Sequence, residues 1–265
     1  MTKVDTQESA NNFEMVLSAA AQLPGVRIDR EKYLAGALTK KFSPEVVATA
    51  IDSSPAAAGI KPEELDAIAD SSIRYETAKV TALSTAAGIP GGFAMAGTVP
   101  ADLAQYFAHV IRITQKLAYL YGWSHIFEGS EEEVDDETKN LLILFIGVMF
   151  GAQGATEAVN KLSAMAATTI AKKLPQKALT KGAIYPVVKK VAGYLGVKMT
   201  KDVFAKGVSK AIPVIGGIIS GGITLATYAP MCLKLKDYLS QLEVADPEAY
   251  VIEVEALEND DAFEE

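Results

Sequence analysis

Three stretches without a single charged side chain, Val80–Ala101, Asn140–Thr156 and Ala211–Leu233, constrain this chain more than any other feature. Uncharged runs of this length must either be buried in a protein core or meet lipid. Two of them are interrupted, the first by Gly88-Ile89-Pro90-Gly91-Gly92 and the third by Pro213, two glycine pairs and Pro230. Such punctuation predicts helical segments joined by bends instead of straight rods. The 23 residues of Ala211–Leu233 are enough, at helical rise, for about 30 Å of hydrocarbon. Within this run Gly216, Gly217, Ser220, Gly221 and Gly222 make a small-residue surface on which two helices could close-pack. That device serves membrane helix pairs and tight hairpins in a soluble core alike. Lysines flank the run on both sides, Lys206 and Lys210 before it and Lys234 and Lys236 after it, whereas a spanning helix concentrates them on one side. The symmetry favours a re-entrant or surface-lying hairpin over a simple span, and a hairpin buried in a soluble bundle stays open beside it.

The rest of the chain reads as helix. Residues 13–24 and 29–52 have helical periodicity, with Asp29 and Ser43-Pro44-Glu45 as N-cap signals. Lys61-Pro62-Glu63-Glu64 opens a helix that runs to about Ala87, with proline and acids in its first turn. A further helix covers 101–121 and stops at Gly122-Trp123. The next starts at Asp135-Asp136-Glu137, after an acidic loop, and carries the second uncharged run. Pro175 and Pro186 are expected to divide the basic region that follows into short helices, and a last helix is expected over about 231–242. No stretch of five residues alternates convincingly at period two. The expected fold is therefore all-α: a single helical bundle-like domain over 13–242 with glycine-rich apolar hairpins. A flexible N-terminus, 1–12, precedes it and an acidic, mobile tail, 243–265, follows it.

The formal net charge of −8 conceals an asymmetry. Residues 243–265 hold ten acidic side chains and no basic one, so the remainder is slightly basic; residues 171–210 hold ten lysines against the single Asp202. Lysines of this region, Lys172, Lys173, Lys181, Lys189, Lys190, Lys198, Lys206 and Lys210, are candidates to face anionic lipid, each worth roughly 1 kcal/mol near a charged membrane surface. They come without arginine and with few aromatics, which argues against nucleic acid. Met1–Asn12 lacks the basic start and apolar core of a secretory signal. The lone Cys232 rules out an internal disulfide framework and, lying in an apolar run, reads as a packed thiol. These points together give the expectation of a cytoplasmic protein, peripheral at the inner face of a membrane.

The helix over 101–121 carries the sharpest pattern. Leu103, Phe107, Val110, Ile113, Leu117 and Leu120 recur at three- and four-residue steps and define a core face. Asp102, Gln105, His109, Arg112 and Lys116 recur at the same steps along a second line. An acid, an amide, an imidazole, a guanidinium and an amine so aligned could bind a phosphate or carboxylate, Arg112 giving a bidentate fork and His109 a titratable donor. The plainer reading is a solvent-facing stripe on an amphipathic helix. No nucleophile–base pair accompanies the stripe, and His109 and His125 have no partners at metal-ligand spacing. Neither a catalytic residue, a metal nor a cofactor is assigned, and the glycine pairs lack the lysine of a phosphate loop. Tyr119, Tyr121 and Trp123 read as the cap of a core or as an interfacial belt.

Several segments, taken in order, resemble the EcsC protein family. They are Leu23-Pro24-Gly25-Val26-Arg27-Ile28-Asp29-Arg30-Glu31, Thr98-Val99-Pro100-Ala101-Asp102-Leu103-Ala104-Gln105-Tyr106 and the stretch from His109 to Gly122. Leu179-Thr180-Lys181 with Tyr185-Pro186, and Ala211-Ile212-Pro213-Val214-Ile215-Gly216-Gly217 with Ser220-Gly221-Gly222, follow. The resemblance covers most of 23–240 and implies a bacterial protein of a family linked by name to an ABC-transporter locus, with no catalytic residues to carry over. The expectation is a non-enzymatic accessory protein of a transport or envelope process, with an anionic membrane surface and a transporter or envelope protein as partners. The alternatives are a soluble enzyme or small-anion binder that uses the polar stripe, and a membrane-inserting protein.

Overall fold

The computed structural model describes residues 3–87, 101–124, 126–127, 134–167, 179–209 and 227–249. The fold is all-α. Among the described residues its longer helices are α1 (Lys3–Ala21), α2 (Arg30–Leu38), α3 (Pro44–Asp52), α4 (Pro62–Ala87), α5 (Ala101–Leu120), α6 (Asp136–Phe150), α7 (Ala155–Ala167), α8 (Tyr185–Ser209) and α9 (227–239), the last followed by a 3-10 turn over Glu243–Ala245.

Local chemistry sets the helix ends. The Asp29 carboxylate accepts from the Lys32 N–H at 3.0 Å to open α2, and the Asp135 carboxylate accepts from the Thr138 N–H at 2.7 Å to open α6. Ser43 caps α3, with Pro44 in its first turn. At the start of α4 the Glu64 carboxylate reaches back to the Lys61 N–H at 3.1 Å, as in a capping box. Arg30 closes the far end of α3: its guanidinium donates to the carbonyls of Ala50, Ile51 and Ser53, at the end where a helix runs out of its own N–H donors.

The centre is made by α5 and α6. Helix α6 is buried all round from Leu141 to Met149, which accounts for the second uncharged run. Each such fully buried leucine or isoleucine contributes roughly 1.5–3 kcal/mol of transfer free energy. The core face expected of α5 is present, Phe107, Val110, Ile113, Leu117 and Leu120 being buried and Leu103 half-buried. Around this centre α1 packs on α8 and α5, α4 on α5, α2 on α3 and α5, and α6 on α7 and α8. Tyr119, Tyr121 and Trp123 are all interior, Trp123 lying edge-on to Phe145 at 4.9 Å, so they belong to the core and make no interfacial belt.

Four expectations need correction. Residues 3–12, taken as a flexible extension, belong to α1; Ala10 is buried, and Ser9 lies so close to Gly196 of α8 that no side chain would fit there. The basic region is divided near Pro186, by the turn over 181–184, but the helix that follows is not short: Pro186 sits in the first turn of the 25-residue α8, where its missing N–H costs no helical bond, and Pro175 lies outside the described residues. The acidic tail does not begin as free chain. Leu242 and Ala245 are buried and the Val244 N–H donates to the Ser163 hydroxyl at 3.2 Å; the Val244 carbonyl lies against Gly122, whose φ of 89° and lack of a side chain allow the approach. The last helix starts earlier than expected, with helix already present at 227. Residues 250–265, the hairpin glycines Gly216, Gly217, Gly221 and Gly222 with Ser220, and His125 lie outside the described residues. Among the described residues, no helix is long and apolar enough to cross a membrane.

Candidate functional site

The polar stripe of α5 faces inward, against the solvent-facing reading. His109 and Lys116 are buried and Arg112 keeps only 20% of its side chain accessible, because all three turn toward one carboxylate on the neighbouring helix, Glu76 of α4, which is wholly buried. His109 Nδ1 lies 2.8 Å from Glu76 Oε2; Lys116 Nζ and Arg112 Nε lie 2.6 Å and 3.1 Å from Oε1. Positions 109, 112 and 116 are one helical turn apart, so their side chains converge on a single point beside α5. Burial pushes the Glu76 carboxyl up, but hydrogen bonds from His109 and Lys116 and the charges of Lys116 and Arg112 outweigh it and hold the pKa at about 2. Ionised, this carboxylate only accepts, so Nδ1 of His109 carries the hydrogen in the contact.

The cluster is tied into its surroundings at every corner. Arg112 Nη1 donates to the Gly25 carbonyl, in a turn that Gly25 makes with φ 74°. One helical turn on from Ile111, Gln115 reads the same loop twice: it accepts from the Ile28 N–H at 2.8 Å and donates to the Val26 carbonyl at 2.9 Å. The Pro24–Ile28 stretch is thereby clamped to α5, which is what that segment's glycine and the α5 amide achieve together. The Tyr228 hydroxyl of α9 donates to the His109 carbonyl at 2.8 Å. Two phenol rings cover the Lys116 ammonium, Tyr75 at 4.9 Å and Tyr33 at 5.8 Å from ring centre.

Of the five stripe residues the structure brings three together. Gln105 is exposed and takes no part, and Asp102 belongs to α5 with its side chain outside the described set. The residue that sequence reasoning missed is Glu76. Its signal was present: Leu65, Ala69, Ile73, Glu76 and Val80 recur at three- and four-residue steps along α4, so an acid occupies a core-facing register position. Burial pushes the Cys232 thiol up, in keeping with a packed thiol. Among the described residues no group of His, Cys, Asp and Glu is arranged to hold a metal ion.

The lysines of the basic region behave in the opposite way. Lys181, Lys189 and Lys190 are exposed and Lys198 is half-buried, while Val188, Val191, Ala192 and Leu195 of the same segment are buried. Lys190, Tyr194 and Lys198 follow one another at successive turns along the outer face of α8. Lys189 lies over the Tyr185 ring at 5.3 Å and Lys198 over Tyr194 at 5.9 Å, and none of the four lysines is in an ion pair among the described residues. Lys172, Lys173 and Lys210 lie outside the described residues, and Lys206 falls in the last turns of α8, where the backbone alone is described.

Comparison with protein-family profiles, curated proteins and solved structures gave no match for this chain.

Proposed function

We propose that this chain is a non-enzymatic, peripheral accessory protein that docks on an anionic membrane surface through the outer face of α8, in keeping with the EcsC-like segments of its sequence. One observation carries the reading: lysines and tyrosines alternate along that face, with no acidic side chain between Lys181 and Lys201 to neutralise them. Ammonium groups at a surface gain from anionic headgroups, and tyrosine rings suit the zone between headgroup and acyl chain. The uncharged stretch 211–226, between α8 and α9, would supply the apolar part of the contact; the end of that run, with Tyr228 and Cys232, is committed to the core. A link to a transport or envelope process at the cytoplasmic face rests on the family resemblance.

Co-sedimentation of the full chain with vesicles tests the proposal. Vesicles containing phosphatidylserine should carry the protein down at low salt and release it as salt rises, because exposed charge is screened; neutral phosphatidylcholine vesicles should not. Exchanging Lys189 and Lys190 for glutamate should abolish most of the binding. Binding that ignores lipid charge, or that survives the double exchange, would remove the reading.

A further inference from the structure

The Glu76 cluster does not balance its own charge. Arg112 and Lys116 are two basic groups against one carboxylate, both largely withdrawn from water, and His109 is already the third donor on that carboxylate. A fourth base stands at the rim. Lys79, one turn beyond Glu76 on α4, is exposed, and its ammonium lies 4.6 Å from the centre of the Tyr75 ring that Lys116 also faces at 4.9 Å. Tyr75 itself is half exposed, and a hydrogen bond from Lys79, helped by the charges of Lys79 and Lys116, holds its phenol below the usual range. Among the described residues neither Lys79, Arg112 nor Lys116 has a second carboxylate within ion-pair distance.

Charge withdrawn from water is stabilised by a partner of opposite sign. Against Glu76, Arg112 and Lys116 leave a surplus of one inside the cluster, and Lys79, exposed to water at its rim, adds a second positive charge; together they match a phosphate monoester dianion. The geometry points to a phosphate-binding site at the rim of this cluster, between α4 and α5. Lys79 and the partly accessible guanidinium of Arg112, whose Nη2 makes none of the bonds to Glu76 or Gly25, supply donors. Lys116 supplies charge from beneath, and the half-exposed Tyr75, whose ring both ammonium groups face, offers its hydroxyl. The site goes beyond the membrane reading and is independent of it, since α8 contributes nothing to it. Its phosphate could belong to a free metabolite or to a lipid headgroup.

Calorimetric titration of the full chain with inorganic phosphate and with phenyl phosphate, at constant ionic strength, tests the assignment, with acetate as the monoanion control. Saturable binding of both phosphates is expected, and acetate should bind weakly. Lys79→Glu, on the exposed rim, should weaken phosphate binding roughly tenfold or more. Glu76→Gln, where it folds, should strengthen binding, because it raises the surplus by one. No saturable phosphate binding, equal binding of acetate, or a Lys79→Glu variant that binds as well as the parent would each overturn the site. Vesicles carrying phosphatidic acid separate the two sources: a headgroup ligand makes Lys79→Glu lose vesicle binding, whereas a free phosphate ligand leaves vesicle binding to Lys189 and Lys190. Failure of the α8 exchange with phosphate binding intact would thus count against the membrane reading alone.

Discussion

Helices α5 and α8 both carry basic residues at helical spacing, and the fold treats them in opposite ways. On α5 the line His109, Arg112 and Lys116 turns into the protein and closes on Glu76. On α8 the line Lys190, Tyr194 and Lys198 turns outward and meets no acid among the described residues. Spacing alone does not distinguish them. What decides is whether a neighbouring helix offers a carboxylate at a core-facing position: α4 does, at Glu76, while the face that α8 turns inward is the apolar one of Val188, Val191, Ala192 and Leu195. Buried charge needs a partner at close range, and exposed charge is satisfied by water. The inward stripe should therefore dominate stability and the outward one should hardly affect it.

Removing Glu76 gives the largest expected effect. Glu76→Ala leaves Arg112 and Lys116 facing each other with no counter-charge, and the loss of one member of a buried ion pair costs about 3–5 kcal/mol. Urea unfolding of the variant should show that loss in the midpoint with little change in slope. A cost below about 1 kcal/mol would mean that the two cations escape to water, and the distinction between the stripes would then collapse.

Acid gives the next. Glu76 has a folded-state pKa of about 2, below the ordinary glutamate value of about 4.3, so its contribution is fully present above the higher value. It is lost as the pH falls from about 4 toward 2, and the depression corresponds to something on the order of 3 kcal/mol. Thermal melts from pH 5 to pH 2 should show a steep fall over that window, and Glu76→Gln should flatten part of it. Equal slopes for parent and Glu76→Gln would place the acid sensitivity elsewhere.

How far this contrast was legible in the sequence depends on range. Caps are local, so Asp29, Ser43 and Asp135 announced α2, α3 and α6 within a few residues of where those helices start. The spacing of the α5 stripe was local too. Its direction was not, because it depends on Glu76, 33 residues before His109 in the chain. The same holds for Gln115, which clamps a loop 87 residues away, and for Ser9, whose contact with Gly196 makes a helix of residues that look too polar to be held. Pro186 misled for a different reason: a proline that ends helices in their middle is well tolerated in a first turn, and the sequence does not number the turns. An acid in register with Ile73 and Val80 was the one local sign of the buried cluster.

The smallest expected effect sharpens the comparison most. Exchanging Lys189 and Lys190 for alanine removes two exposed ammonium groups, neither of them in an ion pair among the described residues. Exposed substitutions of this kind change stability by no more than about 0.5 kcal/mol, and alanine at helix positions offsets part of even that. Lys189 also gives up its contact with the Tyr185 ring, worth at most about 1 kcal/mol at an exposed site. The melting temperature should accordingly stay near that of the parent, while vesicle binding falls. A variant that unfolds early would show that the outer face of α8 is held by structure and not kept for a partner, and the loss of vesicle binding would then follow from unfolding. A variant with the parent's stability and diminished lipid binding separates the two stripes as the fold does, one spent on holding helices together and the other left free to meet a surface.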